Sequence, residues 1–403
     1  MLQVSDALRR IRPPATIAAT GKARDMRAAG RDIVTLSIGE PDFDTPVHIK
    51  EAACAAIRRG RLGYPPVSGI PELRIAVSEK FRRENGVDYE PKEIIVCSGS
   101  KQVIACAFLA TLDSGDEVIV PAPYWVSYPD MASMFGGTPK FVQTRPADGF
   151  KLRAADLEAA IGPRTRWLVL NSPNNPTGAT YTRADYRELT DVLLRHPHVM
   201  LMTDDIYEHL VYGDEPFVTP LAVEPRLKDR TLTINGVSKA YSMTGWRIGY
   251  GGGPAALISA MDKAQSQLTG GASVPAQWAA IAALTGDQSH LAARQDSFRA
   301  RRDLVVSLLN RAPGLDCATP SGAFYVFPSC EGLVGRKTPG GRTIATSADF
   351  ADALLEDEGV AVVAGEGFGF AGHVRVSYAA ADDVLREGCS RIRRFCESLT
   401  SGY

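Results

Sequence analysis

Lys239 stands in NGVSKAYSMTGWRIGY (residues 235–250), between the small or neutral residues Gly236, Ala240 and Gly245. Most lysines are solvated surface groups, but a desolvated one loses its proton more readily and becomes a nucleophile toward an aldehyde. Other residues could serve such an amine. Asp204 ends the apolar run LMTD; its carboxylate could cap the next turn or hold a ring nitrogen protonated. Strand alternation sends its neighbour Asp205 to the opposite face. Tyr207 could donate to an oxygen on the same ring. Asn175 lies in NSPNNPTG (171–178), a composition that makes turns and can also hold an amide rigidly. Ser98-Gly99-Ser100-Lys101 precedes a helical segment, where free N–H groups and the helix dipole favour an anion; Walker-A spacing is absent. Arg247, eight positions after Lys239, offers a planar fork of donors to a phosphate. Trp125 in PAPYWVSYP can stack on a flat heteroaromatic ring. Arg375 in HVRVSYA lies inside an apolar strand pattern and needs an anion, for which a bidentate carboxylate is suited.

Short apolar runs at 93–97, 117–120, 167–170, 199–203, 231–234 and 247–250 alternate with amphipathic segments at 101–112, 183–194 and 254–268. This β/α alternation predicts a mostly parallel sheet covered by helices on both faces. Ligands of such sheets bind beyond the carboxyl ends of the strands. There the sequence places Ser98–Lys101, Asn175, Asp204 and Lys239, all aimed at one crevice. Beyond about residue 291 the pattern becomes α+β: a charged helix over 292–310, strands at 323–327, 360–363 and 373–377, a helix near 348–358 and a closing helix. The expected division is an N-terminal arm with part of the small domain (1–45), a large domain (46–290) and a small C-terminal domain (291–403). GEGFGF (365–370) lacks the third glycine of a dinucleotide fingerprint and reads as turns.

Bulk composition excludes several classes. Of 403 residues, 45% are hydrophobic and 23% charged, and the net charge of -1 leaves no electrostatic footprint for nucleic acid or anionic membrane. No apolar run approaches a membrane span. Residues 1–15 lack the apolar core of a secretory signal, so a cytoplasmic location is expected. The seven cysteines are dispersed without CxxC spacing and read as reduced thiols. His196 and His198 flank a proline and read as a loop, so no metal is expected in the chemistry.

Taken in order, SIGEPDFDTP, GYPPVSGIPELR, PAPYWVSYP, NSPNNPTG, DDIYEHL, SKAYSMTGWRIGY, SGAFYVFP and HVRVSYA resemble the class I, fold-type I aminotransferases that use pyridoxal 5′-phosphate (PLP). The similarity runs over nearly the full length and is nearest to the bacterial aspartate/prephenate subgroup. It implies that Lys239 condenses with the cofactor's aldehyde, Asp204 faces the pyridine nitrogen, Tyr207 and Asn175 the ring oxygen, and Trp125 the ring face. The backbone amides of Ser100 and Lys101, together with Arg247, would hold the phosphate, with Tyr64 reaching the phosphate of a neighbouring subunit in a homodimer with shared active sites. Arg375, Asn175 and the backbone of Gly39 would bind the substrate α-carboxylate; Lys101, with Arg12 and Thr16, the second carboxylate. The implied small-molecule substrates are an amino acid and an oxo acid: L-aspartate and 2-oxoglutarate, giving oxaloacetate and L-glutamate, with prephenate to arogenate as an additional reaction. Departures are Ser-Gly-Ser where many relatives have Gly-Gly, Gly236 where others place a phosphate-binding serine, and Arg12 where some prephenate-active relatives carry lysine. An aromatic or alanine-type aminotransferase, or a β-lyase, would share this scaffold; an effector-binding domain of a regulator is the alternative from another class.

Overall fold

The computed structural model describes residues 3–11, 13–60, 62–213 and 215–400. In chain order its strands are β1 (Val34–Thr35), β2 (Ile94–Cys97), β3 (Glu117–Ala122), β4 (Thr138–Gln143), β5 (Thr165–Asn171), β6 (Met200–Asp204), β7 (Thr231–Gly236), β8 (Gly249–Gly252), β9 (Tyr325–Val326), β10 (Val360–Ala361), β11 (Val363–Ala364) and β12 (Val374–Ser377). Seven form one sheet in the order β2-β8-β7-β6-β5-β3-β4. Strands β3 to β7 pair in parallel, while β8 runs antiparallel to both β2 and β7. The result is the mixed α/β architecture with a largely parallel sheet that the alternation predicts.

Period-2 alternation divides the strand residues between two cores. Ile94, Val96, Leu168, Leu170 and Leu201 pack on one face; Ile95, Cys97, Trp167, Val169 and Met202 pack on the other. The second face is covered by the helices Ser100–Thr111 and Ala255–Leu268. The first is covered by the helices Val47–Arg59, Pro71–Lys80, Arg183–Arg195 and Val274–Thr285.

Three elements differ from the sequence reading. The run at 247–250 moves to Gly249–Gly252, because Arg247 takes a left-handed conformation (φ 57°). Residues 237–248 between β7 and β8 form turns and the 3-10 turn Thr244–Trp246 with no α-helix, so they lack the helical crossover a parallel neighbour usually needs. The edge strand β4 escapes an apolar-run search because Thr138-Pro139-Lys140 is polar, as sheet edges commonly are. Finally, 360–363 is two strands: β10 pairs with β1 in parallel, and β11 pairs with β12.

A separate core gathers Phe298 and Val305 of the helix Ser289–Leu309, Phe350 and Leu354 of Ser347–Glu358, and Leu385 and Phe395 of Asp382–Ser398. Val34 and Leu36 from the N-terminal arm join it, as does Tyr207 from the turn after β6. All seven cysteines are free thiols, six of them buried. Among the described residues no helix is long and apolar enough to cross a membrane.

Candidate active site

The carboxyl ends of β5, β6 and β7 open into a cleft of about 780 Å³. Its floor is set by strand register. Asn171 pairs with Asp204 across β5 and β6, and its amide donates to the Asp204 carbonyl at 2.8 Å while accepting from the Asn175 amide at 2.8 Å. That side chain ties the strand end to the 171–178 loop and fixes Asn175 beside the cleft. Asp204 itself is buried. Burial pushes its carboxyl up to about 6; the Tyr128 hydroxyl, donating at 2.7 Å, and the Ile206 amide restrain that rise by favouring the anion. Asp205 points away, accepting from the Thr203 and Thr219 hydroxyls at 2.6 and 2.7 Å, and burial pushes it up to about 7. Alternation has separated two adjacent carboxylates into a cleft group and a core group.

Lys239 follows β7 and is half-buried, its ammonium donating to the Gly39 carbonyl at 2.7 Å. Burial pushes its pKa down to about 8 against the opposing charge of Glu40, while the cations Arg375 and Arg247 act in the same direction as burial. Gly39 cannot be replaced easily, because a Cβ there would lie 2.4 Å from the Tyr325 hydroxyl. Tyr325 in turn sits 2.9 Å from the Tyr207 hydroxyl. The two phenols therefore link the turn after β6 to β9.

At the other end of the cleft, the helix Ser100–Thr111 begins beside Arg247. Gly99 has φ 89°, and a Cβ at that position would lie 2.2 Å from the Arg247 guanidinium. The exposed Arg247 guanidinium is steadied by the Thr244 and Ser98 carbonyls. Ser100 donates its hydroxyl to the Asn235 carbonyl at 2.9 Å. Ser100, Arg247 and Ser238 all line the cleft. The Lys101 ammonium lies 5.0 Å from the Trp125 ring centroid, and burial together with the Arg247 charge lowers its pKa.

Arg375, on β12, is buried. It donates to the Asn175 side-chain oxygen at 2.9 Å and the Ser37 carbonyl at 2.6 Å, while its Nε is buried without a partner. Burial lowers its pKa, and the groups that favour its charge are the phenols Tyr325 and Tyr207, not a carboxylate. Such a cation is prepared for an anion from outside the chain.

The cleft thus brings together Lys239, Asp204, Tyr207, Asn175, Trp125, Ser100, Lys101, Arg247, Arg375, Gly39 and Thr16. Tyr64 is fully exposed and is not among the residues lining this chain's own cleft. Arg12 lies outside the described residues. Sequence reasoning assigned no role to Tyr128, Tyr325, Asn171, Glu40 or Arg24, although all five line the cleft. Tyr128 could have been found from its spacing: three positions after Trp125, it shares that residue's face once the segment turns helical. Nothing local marks the rest.

Behind the turn after β6 lies a buried ionic network. The π-helical turn Phe81–Asn85 brings Asn85 beside Lys80. The fully buried Lys80 ammonium pairs with Glu208 and donates to the Asn85 side chain at 2.7 Å; Asn85 donates to Glu208 at 2.6 Å. Glu208 is adjacent to Tyr207, so the network anchors the turn that carries the cleft residues.

The family model "Aminotransferase class I and II" matches residues 31–392. Similar curated proteins include a probable aspartate/prephenate aminotransferase of Rhizobium leguminosarum bv. phaseoli, 57% identical over 98% of this chain and 99% of that one. An aspartate/prephenate aminotransferase of Cereibacter sphaeroides is 56% identical over 99% and 100%. Among solved structures, the aspartate aminotransferase from Rhizobium meliloti superposes with a TM-score of 0.97 at 51% identity, covering 99% of this chain and 100% of that one. An aspartate aminotransferase from Thermus thermophilus with maleate gives 0.91 at 44% identity, covering 98% and 100%.

Proposed function

The chain belongs to the class I and II aminotransferases, and from that premise we propose that it transfers the amino group of L-aspartate to 2-oxoglutarate, yielding oxaloacetate and L-glutamate, with pyridoxal 5′-phosphate as cofactor. The observation that carries the proposal is the placement of Lys239. Its amine, with a pKa pushed down to about 8, lies in the same cleft as the buried Asp204 and the buried Arg375, which lacks a carboxylate partner.

The donor set fits the cofactor. A buried carboxylate, a phenol, a carboxamide, an indole and a helix start beside an arginine suit a pyridinium, a phenolic oxygen, a ring face and a phosphate. Asp204 would meet the ring nitrogen, Tyr207 and Asn175 the ring oxygen, and Trp125 the ring face. The backbone amides of Ser100 and Lys101, with Arg247, would hold the phosphate. When bound, the cofactor supplies an aldehyde for condensation and a protonated ring that withdraws electrons from the substrate's α-carbon. Lys239 would hold the aldehyde carbon, and its amine, with a pKa pushed down to about 8, is suited to take and return a proton at the substrate's α-carbon. Asp204, held toward its anion by Tyr128, would favour a protonated ring nitrogen. Arg375 would bind the α-carboxylate with Asn175 and Gly39 and so orient the substrate's α-carbon.

Lys101 supplies a second cation for a distal carboxylate, with Arg12 and Thr16 completing that subsite. The similar Thermus thermophilus structure with maleate, a dicarboxylate, supports a two-anchor cleft. Full exposure of Tyr64 on the single chain supports a homodimer in which this residue serves the partner's phosphate. The free thiols suit a reducing, cytoplasmic compartment.

The test is a donor-and-acceptor panel with the purified protein and its cofactor, including alanine, an aromatic amino acid and prephenate. Aspartate with 2-oxoglutarate should turn over fastest. Preference for an aromatic donor or alanine, or release of pyruvate without amino transfer, would replace the assignment. Protein that stays colourless in excess cofactor would refute the cofactor.

A further inference from the structure

Two imidazoles outside the cleft share an unusual arrangement. His48 lies in the first turn of Val47–Arg59, and His290 in the first turn of Ser289–Leu309. Their ring centroids are 6.1 Å apart. Both side chains are half-buried, and in each ring Nε2 is sealed from solvent without a hydrogen-bond partner. A buried polar atom in that state calls for a water or an ion, and here two belong to neighbouring rings.

The His290 ring also hydrogen-bonds the Asp287 main chain. In the tautomer that carries its proton on Nδ1, the neutral ring presents its lone pair at Nε2, as in metal-bound histidines. Asp287 adds a carboxylate within electrostatic reach of both rings; the Ser289 hydroxyl and amide chiefly hold its pKa down, and His290 and His48 contribute further. Two imidazoles on one tetrahedral ion, with metal–nitrogen distances of about 2.0–2.1 Å, have centroids about 5 Å apart. The 6.1 Å between the His48 and His290 centroids is about 1 Å longer than that.

We propose that His48 and His290 form a binding site for a late first-row divalent cation of the Ni²⁺ or Zn²⁺ class, the ions imidazole ligands favour. The ion would tie the start of the helix Ser289–Leu309 to Val47–Arg59. Its position matters because Arg294, one turn further along, donates to the carbonyls of Ala240 and Asp44. The clamped turn therefore lies directly behind the Lys239 loop.

Two other clusters do not share these features. Donor atoms of Glu84, Glu208 and His209 lie within 4.8 Å of one another, but the Lys80 ammonium is paired to both carboxylates and supplies the positive charge there. His196 and His198 also have centroids 6.1 Å apart, yet their Nε2 atoms are engaged by Glu158 and the Gly162 carbonyl.

Equilibrium dialysis of the purified protein, with its cofactor, against Ni²⁺ tests the site. One ion per chain is expected, with affinity weakened at least tenfold in His48→Ala and in His290→Phe, which keeps a ring of similar shape without a ligand atom. His196→Ala/His198→Ala should bind like the parent. Ni²⁺ should also raise the melting temperature of the parent and leave that of His290→Phe unchanged; His48→Asn replaces His48→Ala if the alanine variant does not fold. Absence of stoichiometric Ni²⁺, or parental affinity in both the His48 and His290 variants, would overturn the proposal.

Discussion

Replacing Tyr128 by phenylalanine removes one oxygen and tests how Asp204 stays ionised. The Tyr128 hydroxyl donates to the Asp204 carboxylate at 2.7 Å, and both groups are buried. A hydrogen bond to a charged group contributes about 1.5–3 kcal/mol, equivalent to roughly one to two pH units. The bond favours the anion, so its loss must raise the Asp204 pKa. From about 6 in the cofactor-free protein, it should move to between about 7 and 8. At pH 7 the ionised fraction would then fall from about nine-tenths to between about one-half and one-tenth. Carbon NMR of labelled aspartate carboxyls in the cofactor-free protein reads the shift directly. With cofactor, the acidic limb of the kcat profile should move to higher pH and activity should recover on the alkaline side. In Tyr128→Phe the aromatic ring is retained and still fills the space beside Trp125, whose centroid lies 5.2 Å from that of Tyr128. A packing defect alone would lower activity evenly across pH. An Asp204 pKa that stays in place, or a uniform loss, would refute the reasoning.

Three further outcomes follow from the site and its support. Capture of the cofactor aldehyde by the cofactor-free protein should accelerate with pH and level off near the Lys239 pKa of about 8, because only the neutral amine attacks; stopped-flow absorbance reads this, and a rise continuing to about pH 10, the range of an ordinary lysine, would contradict the desolvated amine. Lys101→Ser should reduce kcat/KM for aspartate by tenfold or more, about 1.4 kcal/mol, with little change for alanine, and equal losses would remove the distal-carboxylate role. Lys80→Met leaves Glu208 buried without its cation and should cost about 3–5 kcal/mol in urea unfolding, whereas adding Glu208→Leu should recover much of that loss; failure of the double variant to improve on the single would place the stabilising effect elsewhere.

Much of the site was legible in the chain. Ser100, Asn175, Asp204 and Lys239 end or follow short apolar runs, and in an open α/β sheet the end of such a run is the mouth of the crevice. The choice of Asp204 over Asp205 needed only the two-residue period of a strand, and the structure places those carboxylates on opposite faces. What local pattern could not supply was pairing. β8 reads like any other apolar run, yet it is antiparallel, because direction depends on the connection that feeds it and the neighbours that receive it. The edge strand β4 has too little buried surface to leave an apolar signature.

The sequence by itself determined which groups could do the chemistry, since residue types and the hydrophobic period are local properties. Tertiary structure alone decided how those groups are tuned. The pKa of Lys239, the restraint of Tyr128 on Asp204, the Tyr207–Tyr325 contact and the unpaired charge of Arg375 all arise between residues distant in the chain. Burial and electrostatic partnership are properties of the packed assembly, and no window of neighbouring residues contains them.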